Sequence, residues 1–252
     1  MKSLRSTGLT AFVAAVILLL NACAATKAAK RAPLTAEELF QKGMSSYHSA
    51  IYEDAEETFK RIMEDYPLSP QAVEAQLIIA DLYYTTQRYE DAGAYYTTFY
   101  TFHPTHPKAS YALFQKGMSH FKEVLTIDRD QTSTRKALFA FQDLVAGYPD
   151  SPYTAKAREM ISFLRRRLAE SEFYVARFYF KAKKYRGALM RFSTILKDYP
   201  DAGITDKVLY YVGESYTRLG EEKLAKDAFS TLIQEFPGSP FVEVAKVRLN
   251  DL

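Results

Sequence analysis

One short pattern, Ala-x3-Phe-x2-Ile-x4-Pro, constrains this chain more than any other feature, because it occurs five times. Its first copy is Ala55, Phe59, Ile62 and Pro67, and its second is Ala92, Tyr96, Phe99 and Pro104. The later copies are Ala137, Phe141, Leu144, Pro149; Ala188, Phe192, Ile195, Pro200; and Ala225, Phe229, Leu232, Pro237. Offsets of 0, 4 and 7 place the three apolar residues on one face of a helix. The proline cannot continue that helix, and it drives the residue before it (Tyr66, His103, Tyr148, Tyr199 or Phe236) towards extended geometry. A unit of this kind is half of a helical hairpin and cannot bury its face alone. Five copies therefore predict an all-α solenoid of five helical hairpins.

The partner helix of each hairpin carries its own mark. Gly43, Ala80, Ala176 and Gly213 each stand twelve residues before a repeat alanine, and Gly117 occupies the same role in the third unit. Small residues at these positions suit a close crossing of two helices. Tyr52, Tyr89 and Tyr185, three residues before their alanines, fall in or just after the hairpin turn. The combined offsets resemble the tetratricopeptide repeat, whose unit is about 34 residues. Tyr83, Tyr179 and Tyr216 match the tyrosine of its first helix, while the Trp position of that repeat is never Trp here.

Departures from regular spacing mark the organisation of the chain. Pro67, Pro104, Pro149, Pro200 and Pro237 are separated by 37, 45, 51 and 37 residues. In the loops after three of them, Ser69-Pro70, Ser151-Pro152 and Ser239-Pro240 read as an N-cap followed by the first helical residue. Thr35 with Glu38 forms a capping box that opens the first helix. About eight extra residues around Thr126 to Thr134 bulge from the third hairpin. No breaker interrupts Tyr153 to Lys183, which reads as one long helix or as two with a soft joint. Phe241, Ala245 and Leu249 predict a C-terminal capping helix. Residues 35–150 thus hold repeats 1–3, and 151–252 hold repeats 4–5 with the extended helix and the cap.

Residues 1–22 differ in kind. Lys2 and Arg5 precede ten apolar residues from Ala11 to Leu20, too few to span a bilayer, where about 20 are needed. The run leads through Leu20, Asn21 and Ala22 to Cys23, the single cysteine. This resembles the signal of bacterial lipoproteins, in which the cysteine becomes the acylated first residue; a plain secretory signal is the alternative reading. Ala24, following the cysteine, suits sorting to the outer membrane under the usual rule for such signals. Residues 23–34 then read as the lipidated Cys and a flexible tether. Acylation of Cys23 would leave no thiol for a disulfide, a metal site or a nucleophile. Removing Lys2 and Arg5 from the 33 Lys and Arg leaves the mature chain within one charge of neutral against 30 Asp and Glu. That balance argues against nucleic acid as a partner.

No catalytic pattern is present: there is no Gly-rich phosphate loop, His-Glu-x-x-His or Gly-x-Ser-x-Gly. The chain is read as non-enzymatic, with no cofactor and no metal site. His103 and His106 share a His-Pro-Thr-His-Pro loop, which reads as a structured turn. Surface groups remain as candidates for partner contact: Asp128, Arg129 and Asp130 on the inserted tip, and Arg165, Arg166 and Arg167 on the long helix. The first helix of each hairpin is expected to line a groove. Phe40, Met44, Tyr47, Leu77, Tyr84, Tyr111, Phe114, Met118 and Phe121 make that groove aromatic and Met-rich through three repeats, as a peptide-binding surface would be. In the fourth and fifth repeats Glu170, Phe173, Arg177, Phe180, Lys207, Tyr210, Glu214 and Thr217 turn it charged. The long helix or the tether filling this groove as core is the alternative.

The lipoprotein signal, the repeats, the loop at His103–Pro107, the interrupted third repeat and the run FLRRRLAESEFYVARFYFKAKKY together resemble the BamD (YfiO) lipoprotein family of the outer-membrane β-barrel assembly machine. The resemblance covers roughly Glu37 to Phe236. It implies a lipid-anchored protein of the Bam complex at the outer membrane, facing the periplasm. It further implies that the N-terminal repeats receive unfolded outer-membrane β-barrel precursors and that the C-terminal repeats dock on the periplasmic domain of BamA, with other Bam lipoproteins as further partners. The regular fifth repeat is also similar to that of the Tol-associated periplasmic coordinator proteins.

Overall fold

The computed structural model describes residues 33–252, so Cys23 and the signal lie outside the described residues. Eleven helices among them follow one another as antiparallel neighbours. They are α1 (Ala36–His48), α2 (Tyr52–Asp65), α3 (Pro70–Thr85), α4 (Tyr89–Phe102), α5 (Ala109–Lys122) and α6 (Thr132–Gly147), then α7 (Thr154–Lys181), α8 (Tyr185–Asp198), α9 (Thr205–Leu219), α10 (Glu222–Glu235) and α11 (Val242–Asn250). The fold is all-α and tetratricopeptide-like: five hairpins and a capping helix, each packed chiefly on its sequence neighbours. No described helix is long and apolar enough to cross a membrane.

The recurrent unit is the core. Every one of its alanines, aromatic residues and following apolar residues, from Ala55, Phe59 and Ile62 to Ala225, Phe229 and Leu232, is 0% exposed. The residue before each proline is the helix C-cap, its φ between −128° and −137°, and its N–H donates to the last apolar residue's carbonyl. Small crossing residues face the aromatic ring of the second helix. A Cβ added at Gly43 would lie 2.8 Å from the Phe59 ring, at Gly117 2.6 Å from Phe141, and at Gly213 2.5 Å from Phe229. Such separations admit only hydrogen, so glycine sets how closely these hairpins close. Four hairpin turns place a residue in the left-handed region five before the repeat alanine: Ala50, Gln87, Lys183 and Gly220.

Caps follow the sequence in part. Thr35 and Glu38 make the expected reciprocal capping box. Ser69 caps α3, with Pro70 as its first residue. At the other two Ser-Pro pairs the helix starts later, at Thr154 and Val242. There the serine hydroxyl accepts from the N–H two residues on, at Tyr153 and Phe241, closing a turn ahead of the helix. The inserted loop also differs from expectation. It spans residues 123–131, and Thr132–Thr134 already belong to α6. Asp130 accepts from the Thr132 N–H, and Thr134 donates to the Gln131 side chain, which itself donates to the Thr126 and Arg129 carbonyls. These bonds wind the last part of the insertion into the helix.

Between Tyr153 and Lys183 the chain forms a single 28-residue helix, α7. Its first half, through Ala157, Met160, Leu164 and Leu168, shares a core with Leu113, Phe141 and Leu144 of the third repeat. Its second half, from Ala169 through Phe173 and Ala176, shares a core with Ala188, Phe192 and Ile195 of the fourth. The junction is strapped from two sides. The Arg167 guanidinium donates to the Leu125 carbonyl and Ser171 Oγ to the Ile127 carbonyl at 2.7 Å, tying α7 to the inserted loop. Arg165 forms an ion pair with Asp201 at 2.5 Å and donates to the Asp198 carbonyl, tying α7 to the turn after α8.

Candidate functional site

The positions expected to line the groove fall on α1, α3 and α5, and they are more deeply packed than an open stripe would be. Leu77 is 2% exposed and belongs to the core of the first two repeats. Phe40, Met44, Tyr47, Tyr84 and Tyr111 are half-buried against that same core. Phe114, Met118 and Phe121 are half-buried against the core shared by the third repeat and α7. Tyr153, just before α7, stacks on Phe114 with centroids 5.1 Å apart, and Phe163 meets Phe121 edge-on at 5.8 Å. The extended helix thus covers part of the third repeat's aromatic surface.

What stays open on this side is a cleft of about 410 Å³. Leu77 and Asp81 of α3 line it with Pro107, Lys108, Ser110 and Tyr111 around the start of α5, and Pro152 and Tyr153 close it. Its walls are rings: Tyr111 lies 5.8 Å from Tyr153, and Tyr96 packs on Tyr111 edge-on at 6.3 Å. Within it Asp81 Oδ1 accepts from the Tyr96 hydroxyl at 2.6 Å and the Tyr111 hydroxyl at 2.8 Å. Lys108 at the rim pairs with Glu74 at 2.7 Å. The His-Pro-Thr-His-Pro loop that leads into α5 is a tight turn, with the His106 N–H donating to the His103 carbonyl and both imidazoles against Phe99.

Burial pushes the Asp81 carboxyl above its usual range, and the two tyrosine hydroxyls oppose that only in part. Burial, with the adjacent carboxylate, also raises the Tyr96 hydroxyl. A carboxyl raised in the folded state takes up a proton on folding, so its contribution to stability is largest at low pH and falls as pH rises through the folded value. Asp81→Asn keeps an acceptor for both tyrosines and removes that loss. Its unfolding midpoint in urea is expected to exceed that of the parent at pH 7 and to converge with it near pH 4. A parent chain that gains on the variant as pH rises would contradict this assignment.

A smaller cleft of about 170 Å³ lies at the other end of α7, between Ile127, Glu170, Phe173, Tyr174, Arg177 and Lys207. It gathers four of the charged-half groove positions, and the Lys207 ammonium sits 4.0 Å from the Phe173 ring centroid. The remaining members are Phe180, half-buried in the fourth repeat's core, Tyr210, stacked on Phe241, and Thr217, which donates to the Gly213 carbonyl. Glu214 is buried and pairs with Arg248 of α11 at 2.6 Å and with Arg218 at 3.5 Å. Of the arginine triplet, Arg165 and Arg167 make the straps at the α7 junction and Arg166 pairs with Glu170 at 3.1 Å. Asp128, Arg129 and Asp130 lie in the inserted loop. Among the described residues, no three His, Cys, Asp or Glu converge as a metal site would require.

Sequence reasoning named Leu77 and Tyr111 but missed Lys108, Pro152 and Tyr153. The prolines and the tyrosine sit in loops that read as caps, and their contact with the groove depends on how one repeat stacks on the next.

Comparison with known proteins adds the following. The family model described as "YfiO: Outer membrane lipoprotein" matches residues 33–229. A protein of Neisseria meningitidis serogroup A named outer membrane protein assembly factor BamD is 31% identical, covering 82% of this chain and 81% of its own. Proteins of the same name from Caulobacter vibrioides and Haemophilus influenzae are 27% and 28% identical; they cover 95% and 100% of this chain, and 80% and 98% of their own. Among solved structures, the TPR2AB-domain:pHSP90-complex of yeast Sti1 is 15% identical over 86% of this chain and 82% of that one, with a TM-score of 0.45.

Proposed function

The chain belongs to the YfiO family of outer membrane lipoproteins, and on that premise we propose that it is a non-enzymatic assembly factor for outer-membrane β-barrel proteins. In this reading the N-terminal repeats receive an unfolded barrel precursor and the C-terminal repeats dock on the periplasmic domain of BamA within the Bam complex. Membership in a family of assembly factors sets the class; the cleft between α3, α5 and the start of α7 supports the binding role. It sets Leu77, two prolines and two tyrosines beside the Asp81 carboxyl, has a lysine at its rim, and is large enough for one or two side chains of an extended peptide.

Two variants test the cleft. Tyr153→Ala removes a wall, and Ser110→Trp fills the space without removing any contact. Photo-crosslinking of the full lipoprotein to an aromatic-ended C-terminal peptide of a barrel protein is expected to fall about tenfold in both, as loss of one aromatic anchor implies. Undiminished crosslinking in a folded Ser110→Trp protein would rule the cleft out as the receptor.

Attachment to the outer membrane is assigned to acylated Cys23, with residues 24–34 as the tether and the repeats facing the periplasm. Several acyl chains on one cysteine suffice for stable anchoring. Cys23→Ser is expected to move the protein from the membrane fraction to the soluble periplasmic fraction. Retention in membranes washed free of BamA would contradict the anchor.

A further inference from the structure

A third cleft lies on the opposite side of α5 from the tyrosine-lined one. Tyr111, Phe114, Met118 and Phe121 share one face of that helix, whereas Lys116 and His120 fall roughly half a turn away. These two residues, with Glu90, Gly93, Ala94 and Thr97 of α4 and Lys136 and Phe139 of α6, enclose about 380 Å³. Gly93 makes the space, since a Cβ there would come within 3.2 Å of the His120 ring.

Three features set this cleft apart. Phe139 is 60% exposed although it stands between two fully packed positions, Leu138 and Ala140. Lys116 and Lys136 line the opening, and neither forms an ion pair among the described residues. Burial lowers the Lys116 ammonium's affinity for its proton, Asp143 opposes that in part, and the ammonium lies 5.4 Å from the Tyr100 ring centroid. His120 Nδ1 is buried without a hydrogen-bond partner, and Glu123 Oε2 stands 3.8 Å away, beyond bonding reach. Burial and the two lysines hold the imidazole neutral, its pKa pushed down to about 4.

We propose that this cleft binds an acidic polypeptide segment, seating one apolar side chain against Phe139 and Ala94 and a carboxylate between Lys116 and Lys136. The carboxylate would pair with two lysines that form no ion pair among the described residues, and the apolar side chain would cover the exposed ring. The surrounding charge favours a peptide over a membrane. Glu90, Glu123 and the nearby Asp143 would repel a flat anionic bilayer pressed against this face, whereas a single carboxylate can reach the lysines alone.

The test uses the mature lipoprotein in detergent micelles and two fluorescent capped pentapeptides, acetyl-Gly-Glu-Phe-Glu-Gly-amide and its Lys-for-Glu counterpart. By anisotropy the glutamate peptide is expected to bind at least tenfold tighter. The double variant Lys116→Gln/Lys136→Gln, with a melting temperature expected to stay within a few degrees of the parent because glutamine keeps most of each side chain, is expected to bring the two peptides within twofold of each other. By NMR the glutamate peptide is expected to raise the titration midpoint of His120, because a carboxylate then lies beside the imidazole; the lysine peptide should not. Equal binding of the two peptides, a preference that survives the double variant, or an unmoved His120 would each overturn the proposal. So would phosphatidylglycerol vesicles that bind the parent but not the double variant while the glutamate peptide binds neither, an outcome that would make the surface a membrane contact.

Discussion

Phe141→Ala is expected to lower stability by about 4 kcal/mol, the cost of emptying a fully buried aromatic site. Phe141 is 0% exposed, it lies under Gly117 at a distance that admits no Cβ, and its ring is 5.7 Å from Phe114. A loss of that size is a large fraction of the 5–15 kcal/mol that holds a typical domain together. In a stack of repeats the damage stays with neighbours, so hydrogen exchange should rise in α5, α6 and the first half of α7 before it rises in α9–α11. A paired experiment identifies the cause. Gly117→Val in the parent is expected to cost about 3 kcal/mol through overpacking, and far less in the Phe141→Ala background, where the valine enters the vacated space. Additive losses would show that the glycine and the ring are not in steric competition.

Arg248→Ala is the second large effect. The Glu214 carboxylate is 5% exposed and holds Arg248 of the capping helix at 2.6 Å, with Arg218 more distant at 3.5 Å. Removing Arg248 leaves a buried carboxylate with one long contact, a situation that costs about 3 kcal/mol. Fast hydrogen exchange confined to α11 and the end of α9 is the expected signature. Adding Glu214→Gln should restore most of the loss, since the penalty belongs to the unpaired charge and not to the missing side chain. A single variant as stable as the parent would show that Arg218 alone compensates.

The architecture was legible because it rests on local periodicity. Fifteen positions, three in each of five copies, sit where a 3.6-residue period puts them, and the prolines end the helices as their chemistry requires. Gly43, Gly117 and Gly213 were legible as crossing points for the same reason, being small where two helices had to meet. The site was legible only in outline. Tyr111 and Leu77 follow from helix phase, but whether a groove residue is open depends on what stacks above it. Tyr153 covers Phe114 because α7 starts where it does, and no pattern within the third repeat records that. The arginine triplet shows the same limit: Arg165 and Arg167 read in sequence as surface groups and candidates for partner contact, and their acceptors at Asp201 and Leu125 lie 36 and 42 residues away.

The uninterrupted α7 makes chain length itself a constrained property of this protein. Adding or deleting one residue in an α-helix turns everything beyond it by about 100° and shifts it by about 1.5 Å. Within the loop 123–131 or the turns after the prolines, a length change is absorbed locally. Between Leu168 and Ala169, where one core gives way to the next, it would rotate the second half of α7 and the four helices after it as a block against the first half and the six helices before it. Ser171 would then turn away from the Ile127 carbonyl while Arg167 kept its bond to the Leu125 carbonyl, and the small cleft at Phe173 would lose its Ile127 wall. Residues 154–181 can therefore change in sequence while being held to a fixed count, and that count sets the angular phase between the two ends of the molecule.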